Sequence, residues 1–119
     1  MVTDPRRGEI WWMTVPDGQR RPALVLTRSA AIPVLSRVLV VPATRTVRRI
    51  PTTVLLDADD GMPEPCALTL DNIRLVPKSG FGSRITRLSR QRMAEVCTAL
   101  QVAVGCGAPL SSGPSPAET

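Results

Sequence analysis

Histidine and tyrosine are absent from the 119-residue chain, lysine occurs once, at Lys78, and phenylalanine once, at Phe81. Without histidine the chain lacks both the commonest general base and the commonest metal ligand. No HExxH, GxSxG or GxxxxGK[ST] element occurs either, which excludes zincin, nucleophile-elbow and P-loop chemistry. Cys66, Cys97 and Cys106 are odd in number and lack CxxC spacing, so they form no familiar zinc site and no disulfide framework. They read as buried or idle thiols, and neither a metal nor an organic cofactor is implied. No run of about 18 apolar residues is present, and the opening Met-Val-Thr-Asp-Pro-Arg-Arg lacks the apolar core of a secretory signal. The expectation is a cytoplasmic protein that does not enter a membrane. Aromatic rings are scarce, being limited to Trp11, Trp12 and Phe81. Base readers that rely on several exposed rings, such as RRM or cold-shock domains, are therefore disfavoured.

What is present suits one folded unit. Hydrophobic residues make up 43% and charged residues 21%, ordinary globular usage. One core-forming domain over residues 1–106 is expected. The remainder, 107–119, is rich in Pro, Ser and Gly and reads as a flexible tail. Fifteen basic residues against ten acidic ones leave a net charge of +5. Their distribution matters more than their sum. From Gly18 to Leu56 there are seven arginines and no acid, while Asp57-Ala-Asp-Asp-Gly-Met-Pro-Glu64 gathers the compensating carboxylates. Arginine's planar fork matches phosphate oxygens in pairs, so this segregation points to a polyanionic partner.

Short β-branched and apolar runs, each closed by Pro, Gly or Asp, predict a mainly β fold of the α+β kind, a small barrel with a C-terminal helix. Strands are expected near Glu9–Val15, Ala23–Thr27, Val38–Val41, Thr52–Leu56, Ala67–Leu70 and Ile73–Val76. Ser89 is a good N-cap, Leu88 and Met93 can form a hydrophobic staple, and Gly105 closes a helix. Its apolar stripe is expected at Met93, Val96, Cys97, Leu100 and Val104. A helical turn through Ser29–Ile32 is limited by Pro33. Trp11 and Trp12, adjacent on a strand, must leave on opposite faces. The outward one can stack on a base, enter a dimer interface or cover apolar surface.

With so sparse a set of chemical groups, arginine, threonine and isolated carboxylates remain, and stabilising charge that develops on a phosphate suits them best. RNA cleavage by its own 2′-hydroxyl is such a reaction, because the substrate carries the nucleophile. Arg20-Arg21-Pro22 enters a strand along a stiffened path, and Pro42-Ala43-Thr44 offers a hydroxyl at the end of the next strand.

In order, Arg7-Gly8-Glu9-Ile10-Trp11, Arg21-Pro22-Ala23-Leu24-Val25-Leu26, Val40-Val41-Pro42-Ala43-Thr44, Leu70-Asp71-Asn72-Ile73-Arg74 and Leu88-Ser89 resemble the MazF/PemK family of toxin ribonucleases, over about Arg7 to Gly105. The resemblance implies an SH3-like (PemK-like) barrel, usually a homodimer. It also implies metal-independent, sequence-specific cutting of single-stranded RNA to 2′,3′-cyclic phosphate and 5′-hydroxyl ends. The family's catalytic arginine falls on Arg21 and its catalytic hydroxyl on Thr44. Asp17, Gln19, Arg20, Arg45, Arg48 and Arg49 are candidate RNA contacts, and Trp11 and Trp12 candidates for the dimer interface or stacking. An acidic antitoxin is the implied protein partner. The first loop, Pro16 to Arg20, is short and lacks the glutamate that family members commonly carry there, which leaves the general base unassigned. Two other readings are a gyrase-targeting toxin resembling CcdB, which shares the barrel, and a non-catalytic nucleic-acid-binding module.

Overall fold

The computed structural model describes residues 4–14 and 18–105; Val15, Pro16, Asp17, Cys106 and the expected tail 107–119 lie outside the described residues. Among the described residues, seven strands and one α-helix follow in the order β1 (Glu9–Thr14), β2 (Arg20–Val25), β3 (Arg37–Thr44), β4 (Thr53–Leu56), β5 (Cys66–Thr69), β6 (Arg74–Pro77), β7 (Phe81–Arg87) and α1 (Arg90–Val104). They make a curled half-barrel in the order β4-β5-β3-β2-β1-β7, with β6 also paired to β3.

The long β3 is the spine. Its first half pairs with β6, from Arg37↔Pro77 to Val40↔Arg74, and its last residues pair with β5, at Ala43↔Leu68 and Thr44↔Ala67. Between these it holds β2 through Val25↔Val40, Leu24↔Val41 and Ala23↔Pro42. Side-chain alternation sends Ile10, Leu24, Val41 and Ala43 into one core with Leu56, Leu68, Leu70 and the helix residues Val96 and Ala99. Met13, Ala23, Val25, Val38 and Val40 go into a second core with Ile32 and Val76. Each fully buried Leu or Ile among these contributes about 1.5–3 kcal/mol of transfer free energy.

The helix forms where its caps predict. Ser89 Oγ accepts the Arg92 amide at 3.1 Å, and Gly105, at φ +72, donates to the Gln101 carbonyl. Leu88 is buried and Met93 packs on the same core, as the staple requires. The buried stripe differs from the expected one. It runs through Met93, Val96, Ala99, Leu100 and Ala103, while Val104 is 56% exposed. The turn expected at Ser29–Ile32 is displaced into a 3-10 turn at Ile32–Val34, which Pro33 helps to start.

The opening Arg-Gly-Glu-Ile-Trp element is structural. Arg7 donates to the Leu26 carbonyl and, at 3.2 Å, to Cys97 Sγ, tying the end of β2 to α1. Glu9, only 6% exposed, accepts from the Arg6 amide (2.7 Å), Trp11 Nε1 (3.1 Å) and Arg84 Nη1 (3.0 Å). Burial alone would push this carboxyl up, but the Arg6, Trp11 and Arg84 donors outweigh it and hold Glu9 below its usual value. A group depressed in the folded state stabilises fully above its unfolded pKa, and that stabilisation is lost as pH falls through the folded pKa. Glu9→Gln is thus expected to cost about 1–3 kcal/mol at neutral pH, and much less in acid. Urea unfolding at both pH values checks this, and an equal loss at each would contradict it.

Candidate active site

Two strand prolines, Pro22 in β2 and Pro42 in β3, mark where these strands part. Neither can donate to a ladder. Ala23↔Pro42 is the last β2–β3 pair, Pro22 precedes it, and from Ala43 onward β3 pairs with β5. The ends of three segments therefore meet: the first residues of β2, the last residues of β3, and the loop that enters β5. Between them lies a groove of about 360 Å³, within the usual ligand-cleft range of about 300–1,000 Å³.

Arg21 and Thr44 both line this groove. Strand β2 begins earlier than the sequence suggests, at Arg20 rather than Ala23, so both arginines sit on the sheet and not on a loose turn. Gln19 Oε1 accepts from Arg21 Nε at 3.0 Å and also from Nη2, which aims the guanidinium. Thr44 is half-buried, and its Oγ1 accepts the Thr46 amide at 3.1 Å. That bond orients the hydroxyl through its oxygen, so its hydrogen can be given to an anion. Strand β1 supplies the floor. Trp12 lies beneath Arg20, whose Cζ is 5.5 Å from the ring centroid, a cation–π contact that fixes the arginine over the groove.

Arg20, Gln19 and Arg45 join Arg21 and Thr44 in the groove. Arg48 and Arg49 do not; Arg49 lines a separate cleft beside β4 and α1, and Arg48 is exposed on the segment before it. Asp17 lies outside the described residues. The tryptophans separate as strand alternation requires: Trp12 lines the groove, and Trp11 packs on Phe81 with ring centroids 5.9 Å apart at 74°. Arg28 and Arg37 are exposed and away from the groove.

Met62, Pro63, Glu64 and Cys66 complete the lining and were not singled out from the sequence. The signal that could have found them is Pro63-Glu64-Pro65, a stiffened lead-in to β5. Glu64 Oε1 accepts from Arg45 Nε at 2.7 Å. Burial, then the charges of Glu64 and Asp60, push the Cys66 thiol up, so it stays neutral as part of the apolar floor. Among the described residues no three His, Cys, Asp or Glu side chains converge as a metal site, and no helix is long and apolar enough to cross a membrane.

The half-barrel thus gathers two fixed arginines, an oriented hydroxyl and a ring at one groove, a set of donors that suits an anion. The family model described as "PemK-like, MazF-like toxin of type II toxin-antitoxin system" matches residues 6–104. A curated relative, "Probable endoribonuclease MazF5" of Mycobacterium tuberculosis, is 43% identical over 107 residues, covering 89% of this chain and 98% of its own. Among solved structures, an endoribonuclease in complex with its cognate antitoxin from a mycobacterial species superposes with a TM-score of 0.80 at 27% identity, over 88% of this chain and 99% of that one. The Mycobacterium tuberculosis toxin MazF-mt6 gives 0.76 at 31% identity, over 82% and 96%. The chain belongs to the PemK-like, MazF-like toxin family of type II toxin–antitoxin systems.

Proposed function

We propose that Arg21 and Thr44 carry the endoribonuclease reaction of this MazF-family toxin, and that it cuts single-stranded RNA at short sequences without a metal ion. The observation that supports this most is that the arginine and the hydroxyl, on different strands, line one groove where β2 and β3 part. The 2′-hydroxyl of the substrate attacks the adjacent phosphorus and the P–O5′ bond breaks, leaving a 2′,3′-cyclic phosphate and a 5′-hydroxyl. Arg21 neutralises the charge that builds on the non-bridging oxygens, and Thr44 donates to the same phosphate and holds it in line. Arginine keeps its proton at physiological pH, so its role is electrostatic.

Gln19 orients Arg21, and Arg20 and Arg45 hold flanking phosphates. Arg48 and Arg49, outside the groove, meet the RNA beyond it, Asp17 is a further contact by its place in the sequence, and Trp12 stacks a base or covers the groove floor. An acidic antitoxin segment competes for the same basic surface. The toxin works in the cytoplasm as a homodimer of the domain 1–106, with 107–119 as a tail. Thr44→Ala is expected to slow single-turnover cutting of an unstructured RNA in EDTA about 10²-fold, and Thr44→Ser to stay within about tenfold. Equal rates for wild type and Thr44→Ala would remove Thr44 from the chemistry.

A further inference from the structure

The reaction needs a proton acceptor for the 2′-hydroxyl, and the groove offers few. Arginine cannot accept a proton, the Cys66 thiol stays protonated, and a threonine hydroxyl is too weak a base. Among the described residues that line the groove, the one carboxylate is Glu64. Its presence calls for an explanation, because a negative charge there repels the polyanion that the arginines attract. Stability does not supply one. The Glu64–Arg45 pair is largely solvated, with side chains 51% and 84% exposed, and such pairs contribute little to folding.

We propose that Glu64 is the general base of the cleavage reaction. This inference rests on the reading of the groove as the RNA-cleaving site. The sheet order β5-β3-β2 brings Arg21 from the start of β2, Glu64 from the lead-in to β5, and Thr44 from the strand between them. Charge clamp and proton acceptor thus come from different strand ends on either side of Thr44, so the arginine can meet the non-bridging oxygens while the carboxylate faces the attacking 2′-hydroxyl.

Glu64 is also held in place. Its loop begins with the turn Ala58–Asp60, capped by Asp57, and is pinned by Arg92 Nε to Asp60 Oδ1 at 2.8 Å and by Thr86 Oγ1 to the Asp60 carbonyl at 2.9 Å. Arg45 then fixes the carboxylate through Oε1, one of its two oxygens. In the step itself the 2′-O–H bond breaks as Glu64 takes the proton and the O2′–P bond forms. The P–O5′ bond breaks, and the departing oxygen takes a proton from water. Glu64 returns its proton to solvent. The carboxylate does here what the short first loop, without the family's glutamate, leaves undone.

The test compares single-turnover cleavage by the full chain, in EDTA at neutral pH, among wild type, Glu64→Gln, Glu64→Asp, Asp17→Asn and Arg21→Ala, with RNA affinity measured in parallel. Glu64→Gln is expected to lower the rate at least about 10²-fold. It should leave RNA affinity equal or tighter. Glu64→Asp should recover part of the lost rate. The proposal is overturned if Glu64→Gln cuts within about threefold of wild type, or if Asp17→Asn slows cutting more than Glu64→Gln does. In either case an inactive Arg21→Ala would leave the site itself standing. Intact RNA with wild type, or full activity in Arg21→Ala, would overturn the groove reading and the base together.

Discussion

Arg21→Ala is expected to lower the single-turnover rate of RNA cutting about 10³-fold, with the melting temperature unchanged within a few degrees. The magnitude follows from the kind of interaction removed. A single preorganised donor at a developing oxyanion contributes about 10²–10³ in rate, and an arginine at a transferring phosphoryl group about 10³–10⁵. Arg21 is preorganised by β2, by the ring of Pro22 and by Gln19 Oε1, so little reorientation is needed when charge develops. Arg21→Lys should recover only a small part of the loss, because an ammonium cannot present two parallel N–H groups to a phosphate. Gln19→Ala, which removes the side chain that aims the guanidinium, should cost about tenfold, less than the arginine itself. A drop in melting temperature as large as the drop in rate would show that Arg21→Ala had damaged the fold and not the chemistry.

The second large effect is expected at Gly61, where the loop that carries Glu64 turns. Its φ of +88 lies in the left-handed region, and a Cβ there would overlap the Thr86 hydroxyl on β7. Two costs add in Gly61→Ala, about 1–3 kcal/mol for a non-glycine residue in a rare backbone region and about 1–3 kcal/mol for the steric overlap. The sum, about 2–6 kcal/mol, corresponds to a fall of roughly 10–20 °C in melting temperature for a domain of this size. Because Asp60 anchors to both Thr86 and Arg92, a shift at residue 61 also disturbs the approach to Met62, Pro63 and Glu64, so cleavage below the melting temperature should fall as well. Thr86→Gly in the Gly61→Ala background removes both the hydroxyl and the Cβ in the way, and the double variant should lose less than the sum of the single ones. Thermal denaturation of the four proteins measures this. Strict additivity would mean that the clash is not the source of the loss.

The parts of the fold that were legible in the sequence are those governed by local rules. Ser89, Leu88, Met93 and Gly105 bracket α1 because caps and staples act within a few residues, and the β-branched runs place six of the strands to within a few positions. Strand β7 was missed. Phe-Gly-Ser-Arg-Ile-Thr-Arg shows no clean apolar alternation because it is an outer strand, paired only with β1 through a register broken by irregularities and half-exposed along its length. Strand β2 began later in the sequence reading because Arg20, Arg21 and Pro22 look like a turn. Trp12↔Pro22, Met13↔Arg21 and Thr14↔Arg20 pairing with β1 overrides that local preference.

The site divides in the same way. Arg21 and Thr44 were legible as ordered motifs, and their meeting follows from one strand register. Arg48 and Arg49 shared the acid-free stretch but not the groove, since charge along a sequence carries no information about which face a loop presents. Glu64 lay in the acidic cluster, apparently only balancing charge. The β3–β5 pairing, a contact between distant parts of the chain, is what brings it into the same groove as Thr44.

The most direct test of the groove as a phosphodiester-cleaving site is the chemistry of the ends it leaves. A defined single-stranded RNA is cut in EDTA by wild type and by Arg21→Ala, and the fragments are read by mass spectrometry. The expected result is 2′,3′-cyclic phosphate and 5′-hydroxyl ends with wild type, and almost no fragments with Arg21→Ala. Intact RNA with wild type, fragments bearing 5′-phosphates, or equal cutting by both proteins would contradict it.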